Sequence, residues 1–248
     1  MVASDKILFI MGNGPSLGEV MNDPKRLQVL RDNHTFGLNA AYRAYEKYNF
    51  YPTYFGCFDY VVNESHKEAF ENLVLTDNPI QEFYFTGNKK QQNLYSETVR
   101  NSSKFIKFNF HTFHPNHFFQ HKNLTTDFNN YFDPGSSGAN ATQIGIMKGY
   151  KKIVLLGCDC NYVEKIDGVE LFSSEHKSGI ELTKTLETNP NYWFAEYQQK
   201  GDRFNLPSAD EWQILSWRNI SKIKPADVEI INNSLISRIS YFEKKVIV

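Results

Sequence analysis

An α/β domain with a mostly parallel sheet is the fold class that this sequence predicts, and three observations predict it. An apolar run, Ile7 to Met11, breaks at once into Gly12, Asn13, Gly14 and Pro15 and then into a helical pattern. A second apolar run, Ile153 to Leu156, stops in the same way at Gly157 and Asp159. Strand-like and helix-like segments alternate along the rest of the chain, as they do where crossover helices connect parallel strands.

The elements follow in order. Leu17 to Leu30 carries apolar residues at helical spacing, interrupted by Asn22-Asp23-Pro24. A short strand, Thr35 to Leu38, delivers Asn39 to its C-terminal end, and a helix is expected from Ala40. Tyr54 to Cys57 reads as a strand leading to Asp59, and "EFYFTG" and "FIKFNF" read as further strands. Gly135 to Gly138 is a flexible turn before a helix over Ala139 to Lys148. The segment 161–207 is polar, punctuated and aromatic near its end, which predicts a partly ordered lid. Ala209 to Ile223 has the spacing of an amphipathic helix, with Trp212, Leu215 and Trp217 on its apolar face, and "DVEIINNS" is a late strand.

The chain has 248 residues with 27 basic and 28 acidic side chains, enough for one sizeable core, and a single domain over 1–248 is expected. Near-neutral charge gives no electrostatic reason to expect a nucleic-acid partner. The three cysteines, Cys57, Cys158 and Cys160, have no disulfide or zinc-knuckle spacing, which fits a reducing cytoplasm. The first apolar run is too short to span a membrane and is broken too early by glycine for a secretory signal. His111, His114, His117 and His121 lie in "HTFHPNHFFQH", where a proline and no clear helix align them, so no metal site is assigned there.

In open parallel sheets ligands bind beyond the C-terminal ends of the strands. Asn13, Asn39, Asp59, Ser137 and Asp159 all follow expected strand ends or lead into helices, which places them on one rim. The turn Gly12 to Ser16 is expected to aim backbone N–H groups and a helix N-terminus at an anion, with Asn13 at its tip. A tight bend with close helix packing is the plainer use of the same glycines. No third glycine completes a dinucleotide fingerprint, so a mononucleotide or phosphate is expected rather than a nicotinamide cofactor.

The blocks "GNGPSL", "GLNAAYRAY", "SSGANATQIGIMKGYKKIVLLGCD" and "NNSLI" together resemble the bacterial family-42 sialyltransferases. Relatives with a similar Gly-x-Gly-Pro-Ser-Leu turn include motility-accessory glycosyltransferases and pterin diphosphokinase-like domains. The resemblance covers about half the chain and fades in the middle and the lid. It implies a single Rossmann-like domain with helices on both faces of the sheet. It implies an inverting transferase that takes a sugar, a nonulosonic acid such as sialic acid, from a CMP-activated donor without a metal or other cofactor. Asn13 would stand near the nucleotide phosphate and Asn39 near phosphate and ribose, with Gly12, Gly14, Ser16 and Asp59 completing the expected nucleotide site. Ser136, Ser137 and Gly138 would approach the nucleotide or donor sugar, Asp159 the ribose or base, and Tyr162 the phosphate. The implied acceptor is a glycan of the bacterial surface, in lipopolysaccharide or capsule. That allows peripheral membrane contact through a lipid-linked acceptor at the inner face of the membrane, and a homo-oligomer.

The family uses a lid histidine as general base, and the corresponding "NPNYWFAEYQQ" has none. Tyr192, His176 and Glu196 are the replacements the lid offers, although an ordinary tyrosine is a poor base near neutral pH. Three other readings stay open. "GCDCNY" could hold a divalent cation as an Asp-x-Asn relative of a metal-binding motif. The fold could serve an ATP-dependent diphosphokinase, or a non-catalytic module that binds a glycan or a partner chain.

Overall fold

A computed structural model describes residues 6–86, 94–108, 110–111, 128–163, 166–174, 177–206 and 212–248. Its strands are β1 (Leu8–Met11), β2 (His34–Leu38), β3 (Tyr54–Cys57), β4 (Glu82–Phe85), β5 (Phe110–His111), β6 (Tyr131–Phe132), β7 (Lys152–Leu156), β8 (Val169–Ser174), β9 (Lys177–Leu182), β10 (Arg203–Phe204), β11 (Glu229–Asn232) and β12 (Glu243–Lys244). Seven of them form one sheet in the order β12-β11-β7-β1-β2-β3-β4, and every pair in it is parallel. The chain steps outward from β1 to β4, then returns to β7 on the other side of β1. The winding therefore reverses between β1 and β7, which is where a doubly wound sheet opens a crevice.

Alternating side chains explain why the sheet is buried on both faces. Leu8 and Ile10 of β1 join Phe36, Leu38, Ile153 and Leu155 in a core with the helix Ser137–Met147 and Trp217. Phe9 and Met11 point the other way, against Leu17, Val20, Leu27, Leu30, Val154 and Leu156. Further along that second face, Phe55, Phe83 and Phe85 pack on Phe70 of the helix Lys67–Leu75. Each of these phenylalanines is almost completely buried, a contribution of roughly 1.5–3 kcal/mol apiece.

The helix expected over Leu17 to Leu30 is two, Leu17–Met21 and Pro24–Arg31. Asp23 separates them because its carboxylate accepts the N–H groups of Lys25 and Arg26, at 2.8 and 3.2 Å, while Pro24 takes the first helical position. After β2 the chain makes a 3-10 helix, Asn39–Ala44. The late helix is Ile214–Ile223.

The segment expected to be a lid carries a small antiparallel sheet, in the order β10-β9-β8. Its far part is built into the core: Leu182, Leu186, Phe194, Tyr197 and Phe204 share a cluster with Phe55 and Phe70. A buried ion pair fastens it. Arg43 on the 3-10 helix donates through both terminal nitrogens to Asp202 and through Nη1 to the carbonyl of Tyr197 at 3.0 Å. No helix among the described residues is long and apolar enough to cross a membrane.

Candidate functional site

A cavity of about 690 Å³ opens beyond the C-terminal ends of β1, β2, β3 and β7. Gly12, Asn13, Gly14, Asn39, Asp59, Ser136, Ser137, Gly138, Asp159, Tyr162 and Tyr192 all line it, so a rim inferred from strand ends is one continuous surface.

The floor is two glycine turns packed backbone against backbone. Gly12 N–H donates to Leu156 O at 2.7 Å and Gly14 N–H to Gly157 O at 2.8 Å. A β-carbon on Gly12 would lie 2.6 Å from Gly157 O, and one on Gly14 would lie 2.5 Å from Asp159 Oδ2. Only glycine fits so close an approach. Ser16 donates its N–H to Asp159 Oδ2 at 2.9 Å and its hydroxyl to Oδ1 at 2.5 Å.

This corrects the expectation of an open N–H cradle at the first turn. The donors of Gly12, Gly14 and Ser16 already have partners, and the Asp159 carboxylate sits where an anion was expected. Ser16 is outside the cavity lining for the same reason.

The other helix start remains. Ser136 caps the helix Ser137–Met147, its hydroxyl accepting Ala139 N–H at 3.4 Å. An α-helix leaves its first N–H groups without internal partners, and here they belong to Ser137 and Gly138 at the cavity wall. Trp217 packs so tightly on Gly138 that a β-carbon there would meet its ring at 2.8 Å. Ser137 Oγ donates to Asn39 Oδ1 at 3.4 Å, and Asn39 holds a left-handed φ of 54°. Cys160, also at the rim, has φ 55°. Such strained backbone in non-glycine residues concentrates at functional sites.

Asn13 ties the turn to residues 191–206 of the segment expected to be a lid, which form a strap over it. Its Nδ2 donates to Leu38 O and to Tyr197 Oη, both at 3.1 Å, while its Oδ1 is buried without a partner among the described residues. Tyr197 and Tyr192 stack with ring centroids 4.0 Å apart and form an aromatic wall. Burial pushes the hydroxyls of Tyr162, Tyr192 and Tyr197 above the ordinary tyrosine range, so all three are neutral donors and acceptors. Burial likewise pushes Cys158 up, and Cys160 to about 12, which leaves both thiols protonated and unreactive.

Of the three expected bases, Tyr192 lines the cavity, Glu196 is exposed and outside the lining, and His176 lies outside the described residues. Among the lining residues that escaped the sequence reading are Asp133, Asn140, Tyr197 and Asn205. Asp133 accepts from Gly135 N–H and Asn140 Nδ2, both at 2.8 Å, and burial raises its carboxyl to about 6. The Asp-Pro-Gly turn signal was the one clue to it. No group of three or more histidine, cysteine or acidic side chains suited to a metal ion occurs among the described residues.

The sequence matches no protein-family profile and no curated protein. Solved structures that share the fold include two complexes of a sialyltransferase. The sialyltransferase CstII from Campylobacter jejuni, in complex with the substrate analogue cytidine-5'-monophosphate, has a TM-score of 0.50 at 17% identity, covering 98% of this chain and 86% of that one. A variant of the sialyltransferase CST-II in complex with CMP has a TM-score of 0.51 at 15% identity, covering 97% and 86%. The chain thus has a sialyltransferase-like fold along nearly its whole length.

Proposed function

We propose that this chain is a glycosyltransferase that moves a sugar, a nonulosonic acid such as sialic acid, from a CMP-activated donor to a glycan hydroxyl. The observation that carries this reading is the placement of the 690 Å³ cavity at the switch between β1 and β7, in a fold shared with a sialyltransferase solved with CMP. Transfer separates a departing phosphate from a sugar carbon that gains positive charge, so donors must face the phosphate. In this reading the N–H groups of Ser137 and Gly138 and the hydroxyl of Ser136 supply them. Asn39 fixes Ser137, and Asp159 joins the two glycine turns beneath the nucleotide. The stacked Tyr192 and Tyr197 exclude water from the reacting sugar, with Asn13 holding Tyr197 in place. No step calls for a divalent cation.

Release of CMP from CMP-sialic acid, followed with a panel of glycan acceptors in excess chelator, tests the reading. Acceptor-dependent CMP release that survives the chelator supports it; release that needs a metal, or no release from any CMP-sugar, contradicts it. A second reading, a module that binds nucleotide or glycan without turnover, is favoured by one observation. Of the expected bases, the one placed in the cavity is a neutral buried tyrosine.

A further inference from the structure

Resting on the transferase reading, we propose that Asp59 is the general base, its Oδ2 taking the proton of the acceptor hydroxyl. Asp59 ends the loop after β3 and caps the helix Tyr60–Ser65. Three hydrogen bonds converge on Oδ1: Val61 N–H at 2.8 Å, Val62 N–H at 3.2 Å and Asn205 Nδ2 at 2.8 Å. Oδ2 accepts none of the three, and the residue is only part-buried, because it faces the cavity it lines. The carboxylate is therefore held rigidly by one oxygen and offered by the other.

Its position suits the role. The helix start at Ser137 meets Asn39 at the end of β2, and Asp59 follows the next strand, β3, roughly 4.8 Å further across the sheet. Ser137 and Asp59 both line the one cavity, so the base and the departing phosphate would flank a sugar bound between them. Burial raises the Asp59 carboxyl above its ordinary value, which strengthens it as a base. The titratable groups facing it, Cys57 on β3 and Tyr192 on the strap, are both kept neutral by burial.

The step balances within the site. The acceptor O–H gives its proton to Oδ2, its oxygen bonds to the anomeric carbon, and the bond from that carbon to the phosphate oxygen breaks with both electrons leaving on CMP. Solvent then takes the proton from Asp59.

The test compares wild type and Asp59→Asn, which keeps a capping oxygen and removes the charge. The expected result is a Kd for CMP within threefold of wild type, kcat lower by on the order of 10²–10⁴, and loss of the acid limb of the kcat–pH profile. An Asp59→Ser variant that regains turnover in added formate supports the same conclusion, and serves if Asp59→Asn does not fold. Retained kcat, an unchanged acid limb in Asp59→Asn, or a loss of CMP binding equal to the loss of kcat overturns it. Failure of the transferase reading itself would show separately, as a wild-type protein that releases no CMP from any donor.

Discussion

The carboxylate of Asp159 accepts both the amide N–H and the hydroxyl of Ser16, so the acid that ends β7 fills the start of the first helix. The strand-end turns of β1 and β7 are thereby one unit. An acid placed there replaces an external anion at that helix start, which leaves the start of the helix at Ser137 as the phosphate position of the proposed function.

Replacing Asp159 with alanine leaves two Ser16 donors without their acceptor. We expect Asp159→Ala to lower unfolding free energy by about 1–3 kcal/mol, read from urea titration. Gly14→Ala should destabilise by a similar amount, because its β-carbon would meet Asp159 Oδ2 at 2.5 Å and Gly157 O at 2.7 Å. Wild-type stability in both variants would contradict the joined-turn account.

Asn13 bridges Leu38 O and Tyr197 Oη, so its loss frees the aromatic wall from the turn. Asn13→Ala is expected to weaken CMP binding about tenfold or more and to lower turnover on the order of a hundredfold. Circular dichroism should show the fold intact. Near-normal turnover would remove Asn13 from the site.

The Arg43–Asp202 pair holds the strap from behind. Asp202→Ala strands a largely buried guanidinium, and a loss of about 3 kcal/mol is expected. Because Arg43 also holds the carbonyl of Tyr197, CMP affinity should fall with it. A variant that loses stability but keeps full affinity would separate the latch from the site.

Two buried groups give stability opposite pH dependences. Burial lowers the imidazole of His66 from 6.5 to about 4, so between those values the unfolded chain binds a proton that the folded one refuses. Stability from His66 is complete above pH 6.5 and is lost as pH falls toward 4, by up to about 3 kcal/mol. Asp133, raised from 3.8 to about 6, acts the other way and removes stability as pH rises through that interval. The contributions of these two groups therefore largely cancel between pH 4 and 6. Relative to wild type, His66→Phe should tilt the profile toward stability falling as pH rises, the direction that the raised Asp133 and Asp59 share; an unchanged profile would contradict this assignment.

Much of the sheet was legible because its signals are local. β1, β3, β7 and β11 are short apolar runs ended by glycine or polar turns, and Asn13, Asn39, Asp59 and Asp159 follow strands whose order puts them on one rim. What escaped the sequence depends on contacts between distant residues. The N–H groups of the first turn look open until Leu156, Gly157 and Asp159 arrive from the far half of the chain. The segment 161–207 reads as a polar loop because its buried side chains, Leu182, Tyr197 and Phe204, are spaced without helical or strand period along most of it. Arg43, which holds the Tyr197 carbonyl and Asp202, lies 159 residues from Asp202. Asp133 carries only a turn signal and Asn205 none; the closed fold brings them to the cavity.

Nucleotide binding to the wild-type chain tests the central claim most directly. Isothermal titration with CMP, CDP, UDP, GDP and ATP, each repeated on Ser137→Trp to fill the helix start, reads the site and its preference together. The account predicts saturable CMP binding that the other nucleotides do not match and that the filled variant loses. Tighter binding of ATP or of a UDP or GDP ligand, or CMP binding untouched by the substitution, would contradict it.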